Sequence, residues 1–196
     1  SQNKIRSISI SRNNFKTSKF PSLKTATHFI HLVGIGSESI TQKFQDVNIE
    51  TTKTAINLCK KNKIKNIVYL SGLGVSRNSR SSYFISKYNA EQLIKNSGLR
   101  YTIFRPSYII GIDDYLTKNI SKQILKKQVL IPGSGKFSLQ PISIGDVCSC
   151  IHIALNSPKF SNKIIDLVGP NKISFKKIIK QPVPNDIKLK KISLKS

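Results

Sequence analysis

The sequence predicts an α/β protein built on a doubly wound parallel sheet. Three observations lead there. Apolar runs of strand type, "THFIHLVG" (27–34), "IKNIVYLSG" (64–72) and "RYTIFRP" (100–106), alternate with stretches of helical periodicity. Such alternation requires right-handed crossovers, with helices on both faces of the sheet. The carboxyl ends of these runs carry Gly, Ser and Pro, at the sheet edge where ligands bind in folds of this kind.

Each element has its own signal. "IRSISIS" (5–11) alternates apolar and polar residues and reads as a short strand. "FPSLKTA" (20–26) is a turn or a short helical piece. Over 40–62, Phe44, Val47, Thr51, Ala55 and Leu58 fall on one face of a long helix. The helix over 83–97 stops near Gly98, a residue suited to the left-handed turn past a helix end. Pro106 stops the 100–106 strand. A helix near 115–127 follows, then "VLIPGSGK" as strand and turn, a helix over 145–157, the strand "KIIDLVG" and a short helix "SFKKIIK". From about residue 181 the lysine-rich end reads as a frayed tail.

Charge is the outstanding feature of the composition. The 196 residues hold 33 Lys and Arg against 9 Asp and Glu, a net charge of +24. Such a surface attracts polyanions without sequence preference. The lysines are spread along the chain, and no zinc-finger spacing, RGG run or aromatic interleaving marks a dedicated nucleic-acid reader. Apolar residues make up 38%, enough for a globular core. No run approaches the roughly 18 apolar residues of a membrane span, and the start carries no secretory pattern. The three cysteines, Cys59, Cys148 and Cys150, show no framework spacing and read as free thiols of a reducing compartment, cytoplasm or organelle interior. His28 and His31, three apart on a strand, face opposite sides, so no metal site is expected. The chain lacks methionine altogether, its first position included, and is expected to be a fragment or a processed product.

One stretch carries candidate chemistry. "SSYFISKYNAEQL" (81–93) places Tyr83 four residues before Lys87, and on a helix the two side chains share a face. A nearby ammonium favours the phenolate and would lower the tyrosine from its ordinary value of about 10, toward general acid–base use. Bare Y-x-x-x-K also arises often by chance. Ser71 at the end of one strand, and Arg105, Pro106 and Ser107 at the end of the next, converge with it on one sheet edge.

The order of these motifs resembles the short-chain dehydrogenase/reductase superfamily, in its atypical and extended branch of epimerase/dehydratases and complex I accessory subunits. "HFIHLVG" is similar to the family's fourth strand. "VNIETTKTAINLCKK" resembles its N-x-x-G-T-x-N helix, with Asn48 kept and Thr51 where glycine is usual. "VLIPGSGKFSLQPISIGDV" resembles the stretch with a hallmark aspartate, here Asp146, and "IIDLVGPNKISF" the late strand and turn. The resemblance implies a Rossmann-like core over 1–107, an interleaved substrate-side portion over 108–180 and a basic tail over 181–196. It implies NAD or NADP as cofactor and a hydroxyl/carbonyl substrate, a nucleotide sugar among them. Ser71, Tyr83 and Lys87 would be catalytic: Ser71 orienting the substrate oxygen, Tyr83 moving the proton, Lys87 lowering the tyrosine pKa and holding the ribose. Arg12, Val33, Gly34, Lys87, Pro106 and Ser107 would bind the cofactor, Arg12 at the position of a 2′-phosphate contact and hence toward NADP. A non-catalytic scaffold, assembly or regulatory protein is the alternative, as a homodimer or a subunit of a larger complex.

The family's opening strand and G-x-x-G-x-x-G turn, which hold a pyrophosphate at a helix N-terminus, have no match here. "GIGSES" (34–39) follows the wrong strand, and "GSGKF" (133–137) lacks the upstream glycine of a phosphate loop. The expectation is a chain that starts one strand and one helix late and binds the cofactor poorly alone.

Overall fold

The computed structural model describes residues 5–112, 114–184 and 186–193. Helix α1 (Arg12–Thr17) starts at Ser11, whose hydroxyl accepts from the Asn14 amide while the Asn14 side chain accepts from the Ser11 amide. Strand β1 (His28–His31) is followed by a π-helical turn (Gln45–Glu50) that runs into α2 (Thr51–Lys61). Then come β2 (Asn66–Leu70), α3 (Ser82–Lys95), β3 (Arg100–Pro106) and β4 (Ile109–Ile110). Helix α4 (Tyr115–Leu125) is capped by Asp114, which accepts from the amides of Leu116 and Thr117. Strands β5 (Gln128–Pro132), β6 (Ser138–Leu139) and β7 (Ile142–Ser143) lead to α5 (Ile144–Asn156). Strand β8 (Lys163–Leu167), β9 (Ile173–Ser174), α6 (Phe175–Lys180) and β10 (Lys188–Ile192) complete the order.

The chain divides into two compact units, residues 1–105 with 151–166, and residues 106–150 with 167–196. In the first, four strands lie in the order β1-β2-β3-β8. The pairs β1–β2 and β2–β3 are parallel, with Ile30 opposite Val68 and Tyr69 opposite Ile103. Parallel strands flanked by helices are buried on both faces, and Ile67, Val68, Tyr69, Ile103 and Phe104 are all within the core. Ala55, Ile56 and Cys59 of α2 and Ala90 and Ile94 of α3 pack with Ile67, Tyr69 and Ile103. Small residues at positions 55, 59 and 90 let the helix backbones come close to the sheet.

The second unit holds three short strand pairs, β5 with β10, β4 with β7 and β6 with β9. Its core gathers Ile120 of α4, Val129 and Ile131 of β5 and Ile179 of α6. Gly135 turns the chain after β5 with φ +67°, and a Cβ there would lie 2.6 Å from Ile131 Cγ2. Asp146 serves as a local helix-start residue: Ser143 Oγ donates to Asp146 Oδ2 and accepts from the Asp146 amide.

Three sequence expectations change. Residues 5–11 form no strand, because among the described residues no neighbouring strand offers them hydrogen bonds; a strand is a property of the pair. The end of the chain does not fray from residue 181: β10 pairs in parallel with β5. The helix expected over 40–62 is interrupted at its start by the π-helical turn, which turns Asn48 inward.

Candidate functional site

The first unit carries Val33 and Gly34 past the end of β1, Ser71 past the end of β2, Tyr83 and Lys87 in the first half of α3 and Arg12 at the start of α1. Pro106 and Ser107 belong to the second unit, where the Ser107 amide donates to Leu167 O at 2.8 Å.

Lys87 lies on the buried face of α3, 5% exposed. Its ammonium donates to Tyr69 Oη at 3.0 Å and to Leu70 O at 2.9 Å, and sits 4.5 Å from the centre of the Tyr69 ring. Burial lowers its pKa to about 8, against the raising influence of the Glu91 carboxylate. An ammonium has three N–H donors; neutral partners take two of them among the described residues. A Cβ on Gly34 would lie 3.2 Å from Asn48 Oδ1 and 3.4 Å from Lys87 Nζ, so the bare glycine keeps the space beside the ammonium open. Asn48, fully buried, donates to Ser86 Oγ at 2.9 Å and accepts from the Ile35 amide at 2.9 Å, which fixes the loop after β1. Arg12 joins this loop from outside, donating from Nη2 to Gly34 O at 2.6 Å.

Tyr83 stands in the first turn of α3, its ring 5.9 Å from Phe44 and 5.2 Å from Phe84. Burial raises its pKa, and the lowering expected from Lys87 is absent. The reason is geometric: the hydrogen bonds of the ammonium go to Tyr69 and to the main chain of β2.

Ser71 has a buried partner from α3. Its hydroxyl donates to Glu91 Oε1 at 2.6 Å. Glu91 is completely buried and receives Arg105 in a two-point grip, Nε at 2.9 Å and Nη2 at 2.6 Å. Gly72 lies beside the Tyr83 hydroxyl: a Cβ there would lie 3.5 Å from Tyr83 Oη. This position beside the phenol therefore carries no side chain. Glycine gives no chemical signal in a sequence, and Gly72 could be found only by asking which of two adjacent residues the strand turns toward α3. Glu91 could have been found, since it lies four residues past Lys87, on the same helix face.

Among the described residues no group of three or more His, Cys, Asp or Glu could hold a metal, and no helix is long and apolar enough to cross a membrane. Cys59 is buried and its thiol is pushed up to about 12 by burial, Cys148 is exposed, and all three cysteines are free.

A family model described as NAD(P)H-binding matches residues 24–157. The chain belongs to this NAD(P)H-binding family. The matched span includes β1, β2, α3 and the whole Lys87–Asn48–Gly34 cluster, so the family match and the buried lysine fall on the same ground. Among curated proteins the family member is 30% identical over 146 residues to "NADH dehydrogenase [ubiquinone] 1 alpha subcomplex subunit 9, mitochondrial" of Arabidopsis thaliana, covering 72% of this chain and 36% of that protein. It is 28% identical over 123 residues to "Prestalk A differentiation protein A" of Dictyostelium discoideum, covering 63% of this chain and 38% of that protein. The chain thus spans well under half the length of these relatives. Its Rossmann-like fold matches the UDP-glucuronic acid 4-epimerase of Bacillus cereus solved with NAD, at a TM-score of 0.72 and 20% identity, over 87% of this chain and 64% of that one.

Lys87, Asn48 and Gly34 suit a dinucleotide. A buried ammonium with a donor to spare, beside a space that a methyl group would narrow, fits the paired hydroxyls of a ribose.

Proposed function

We propose that the chain is a nicotinamide-dinucleotide-holding domain that binds its nucleotide without turning over a substrate. One observation carries this reading: the Ser71 hydroxyl donates to the buried Glu91 carboxylate, and Gly72 places no side chain at its position beside the Tyr83 phenol. A proton-transfer site needs the group that orients the substrate oxygen within hydrogen-bond reach. Here Lys87 holds the ribose, Asn48 and Gly34 shape the loop beside it, and Tyr83 serves as an apolar ring packed with Phe44 and Phe84. The mitochondrial NADH dehydrogenase subunit supports a structural, assembly or regulatory role inside a larger complex, in an organelle interior.

A second reading is an oxidoreductase or epimerase/dehydratase acting on a hydroxyl or carbonyl substrate such as a nucleotide sugar. It is supported by Tyr83 and Lys87 on one face of α3 and by the epimerase fold. A bound nicotinamide would supply hydride exchange. Tyr83 would hold or release the proton at the substrate oxygen, and Lys87 would orient the ribose.

Arg12 supports NADP over NAD in either case: one N–H goes to Gly34 O, and the other donors of the exposed guanidinium are left for a 2′-phosphate. The test is calorimetric titration with NADH and NADPH, followed by a nicotinamide absorbance assay with UDP-sugars. Binding with no turnover, unchanged by Tyr83→Phe, is the expected result. Turnover that Tyr83→Phe abolishes would replace the first reading by the second.

A further inference from the structure

Tyr69 lies on the buried stretch of β2, and its side chain is fully buried. Its ring stacks on His31, with centroids 5.4 Å apart and planes 21° from parallel. A phenylalanine would fill the same space, so packing does not explain the phenol oxygen. A buried hydroxyl costs free energy unless it is hydrogen-bonded. The donor it meets is the Lys87 ammonium, 3.0 Å from Tyr69 Oη and 4.5 Å from the ring centre.

The directions of the protons in this cluster are set from one end. Thr52 gives its hydroxyl proton to Asn48 O at 2.7 Å, so toward its other neighbours Thr52 can only accept. Those neighbours are His31 Nε2, at 3.0 Å, and the Tyr69 phenol. The Tyr69 proton therefore turns toward Thr52, and the phenol oxygen faces Lys87 as an acceptor. Burial raises the Tyr69 pKa and keeps that proton in place. Leu70 O, at 2.9 Å, accepts a second ammonium proton from the end of the same strand. Among the described residues these two acceptors of β2 take two of the three N–H groups. The space that Gly34 keeps open lies beside the same nitrogen, since a Cβ there would be 3.4 Å from Lys87 Nζ.

We propose that Tyr69 is a positioning residue for nucleotide binding, which holds the Lys87 ammonium in its charged form with one N–H presented to the vicinal hydroxyls of a ribose. The proposal rests on the reading of Lys87 as the group that holds the ribose, and it adds the residue through which Lys87 acts. An oxygen that accepts from the ammonium favours the charged state against the desolvation that burial imposes. The other titratable groups around Lys87 and Tyr69 are His31 from β1 and Tyr83 and Glu91 from α3, with Arg105 of β3 bound to Glu91. Burial keeps His31 neutral, and Glu91 is engaged by Ser71 and Arg105, so neither takes the place of Tyr69.

The test is Tyr69→Phe, which keeps the ring and removes the oxygen, on the purified 196-residue chain. The protonation midpoint of Lys87 is read by NMR titration of its side-chain nitrogen, assigned with Lys87→Met. Affinities for NADH and NADPH are read by calorimetry across the same pH range. Ile67→Val, a core change on the same strand, is the control for packing. The expected result is a Lys87 midpoint lowered by about one pH unit and nucleotide affinity weakened about tenfold by Tyr69→Phe. The pH at which binding fades should fall with the midpoint, and Ile67→Val should change neither. A midpoint that Tyr69→Phe leaves in place overturns the proposal, as does a lowered midpoint with unchanged affinity. So does a control that weakens the nucleotide as much as Tyr69→Phe. A lowered midpoint in a chain whose wild type binds neither nucleotide overturns the ribose reading of Lys87 alone, and leaves Tyr69 as the residue that holds the ammonium.

Discussion

Ser71 donates its hydroxyl proton to Glu91 across 2.6 Å. Glu91 is fully buried, and Arg105 grips both of its oxygens. The three residues tie β2, α3 and β3 together with one carboxylate, so the polar end of the sheet is a structural joint. The first prediction follows from that joint. Arg105→Leu strands a buried carboxylate and is expected to cost about 3–5 kcal/mol, while the double variant Arg105→Leu/Glu91→Leu recovers most of it. Urea unfolding midpoints of the three forms check this, and a single variant within 1 kcal/mol of wild type contradicts it.

Gly72→Ser tests the reading of the site. The added Cβ would sit 3.5 Å from Tyr83 Oη, an ordinary contact, and Gly72 has no left-handed backbone to protect. The variant should fold with a stability within about 1 kcal/mol of wild type and place a hydroxyl beside the phenol. Under the binding-only reading, nucleotide affinity stays the same, and turnover of UDP-sugars, absent in wild type, is the property to be looked for. If wild type already turns over and the serine changes nothing, Gly72 is not the missing element.

Lys87 sets a pH slope. Its folded pKa of about 8 lies below the ordinary 10.5, so between these values the unfolded chain binds more protons. Stability from this group therefore rises with pH over that window, by roughly 3 kcal/mol in total, and is lost as pH falls back through about 8. Lys87→Met should remove the slope and weaken NADPH binding together. Denaturant titrations from pH 7.5 to 10.5 and calorimetry on the same variant separate the two effects.

His31 acts at the acid end. Burial, aided by the Lys87 charge, lowers its pKa to about 3 from the ordinary 6.5. The contribution is complete above 6.5 and lost as pH falls toward 3, because the unfolded imidazole takes up a proton that the buried one refuses. His31→Phe should flatten the stability curve between those limits. A curve identical to wild type would mean that other groups dominate acid unfolding.

The +24 surface should bind DNA or RNA oligomers weakly, with dissociation constants of about 10⁻⁴–10⁻⁶ M at physiological salt and no sequence preference. Fluorescence anisotropy at several salt concentrations reads this. A tight, sequence-selective complex that survives high salt would give nucleic acid a specific role.

Much of the molecule was legible in the amino-acid sequence because the relevant physics is local. The run 100–106 reads as a strand and is β3 to the residue, since a β-rich apolar run stopped by proline leaves little choice. Helix α3 and its end before Gly98 follow from periodicity and from a glycine at φ +79°. The presence of Tyr83 and Lys87 on one helix face follows from spacing alone. Tertiary structure decided what depends on neighbours distant in sequence. Residues 5–11 have a strand's pattern but, among the described residues, no strand to pair with, and 188–192 become β10 only because β5 lies alongside. That the Ser71 hydroxyl donates to Glu91, and that Arg105 holds the same carboxylate, depends on residues 20 and 34 positions further on. The sequence by itself determined which residues stand at the sheet edge. Only the packed structure decided which way they point, because the direction of a hydroxyl or an ammonium is set by the partner that satisfies it, and those partners arrive from other elements.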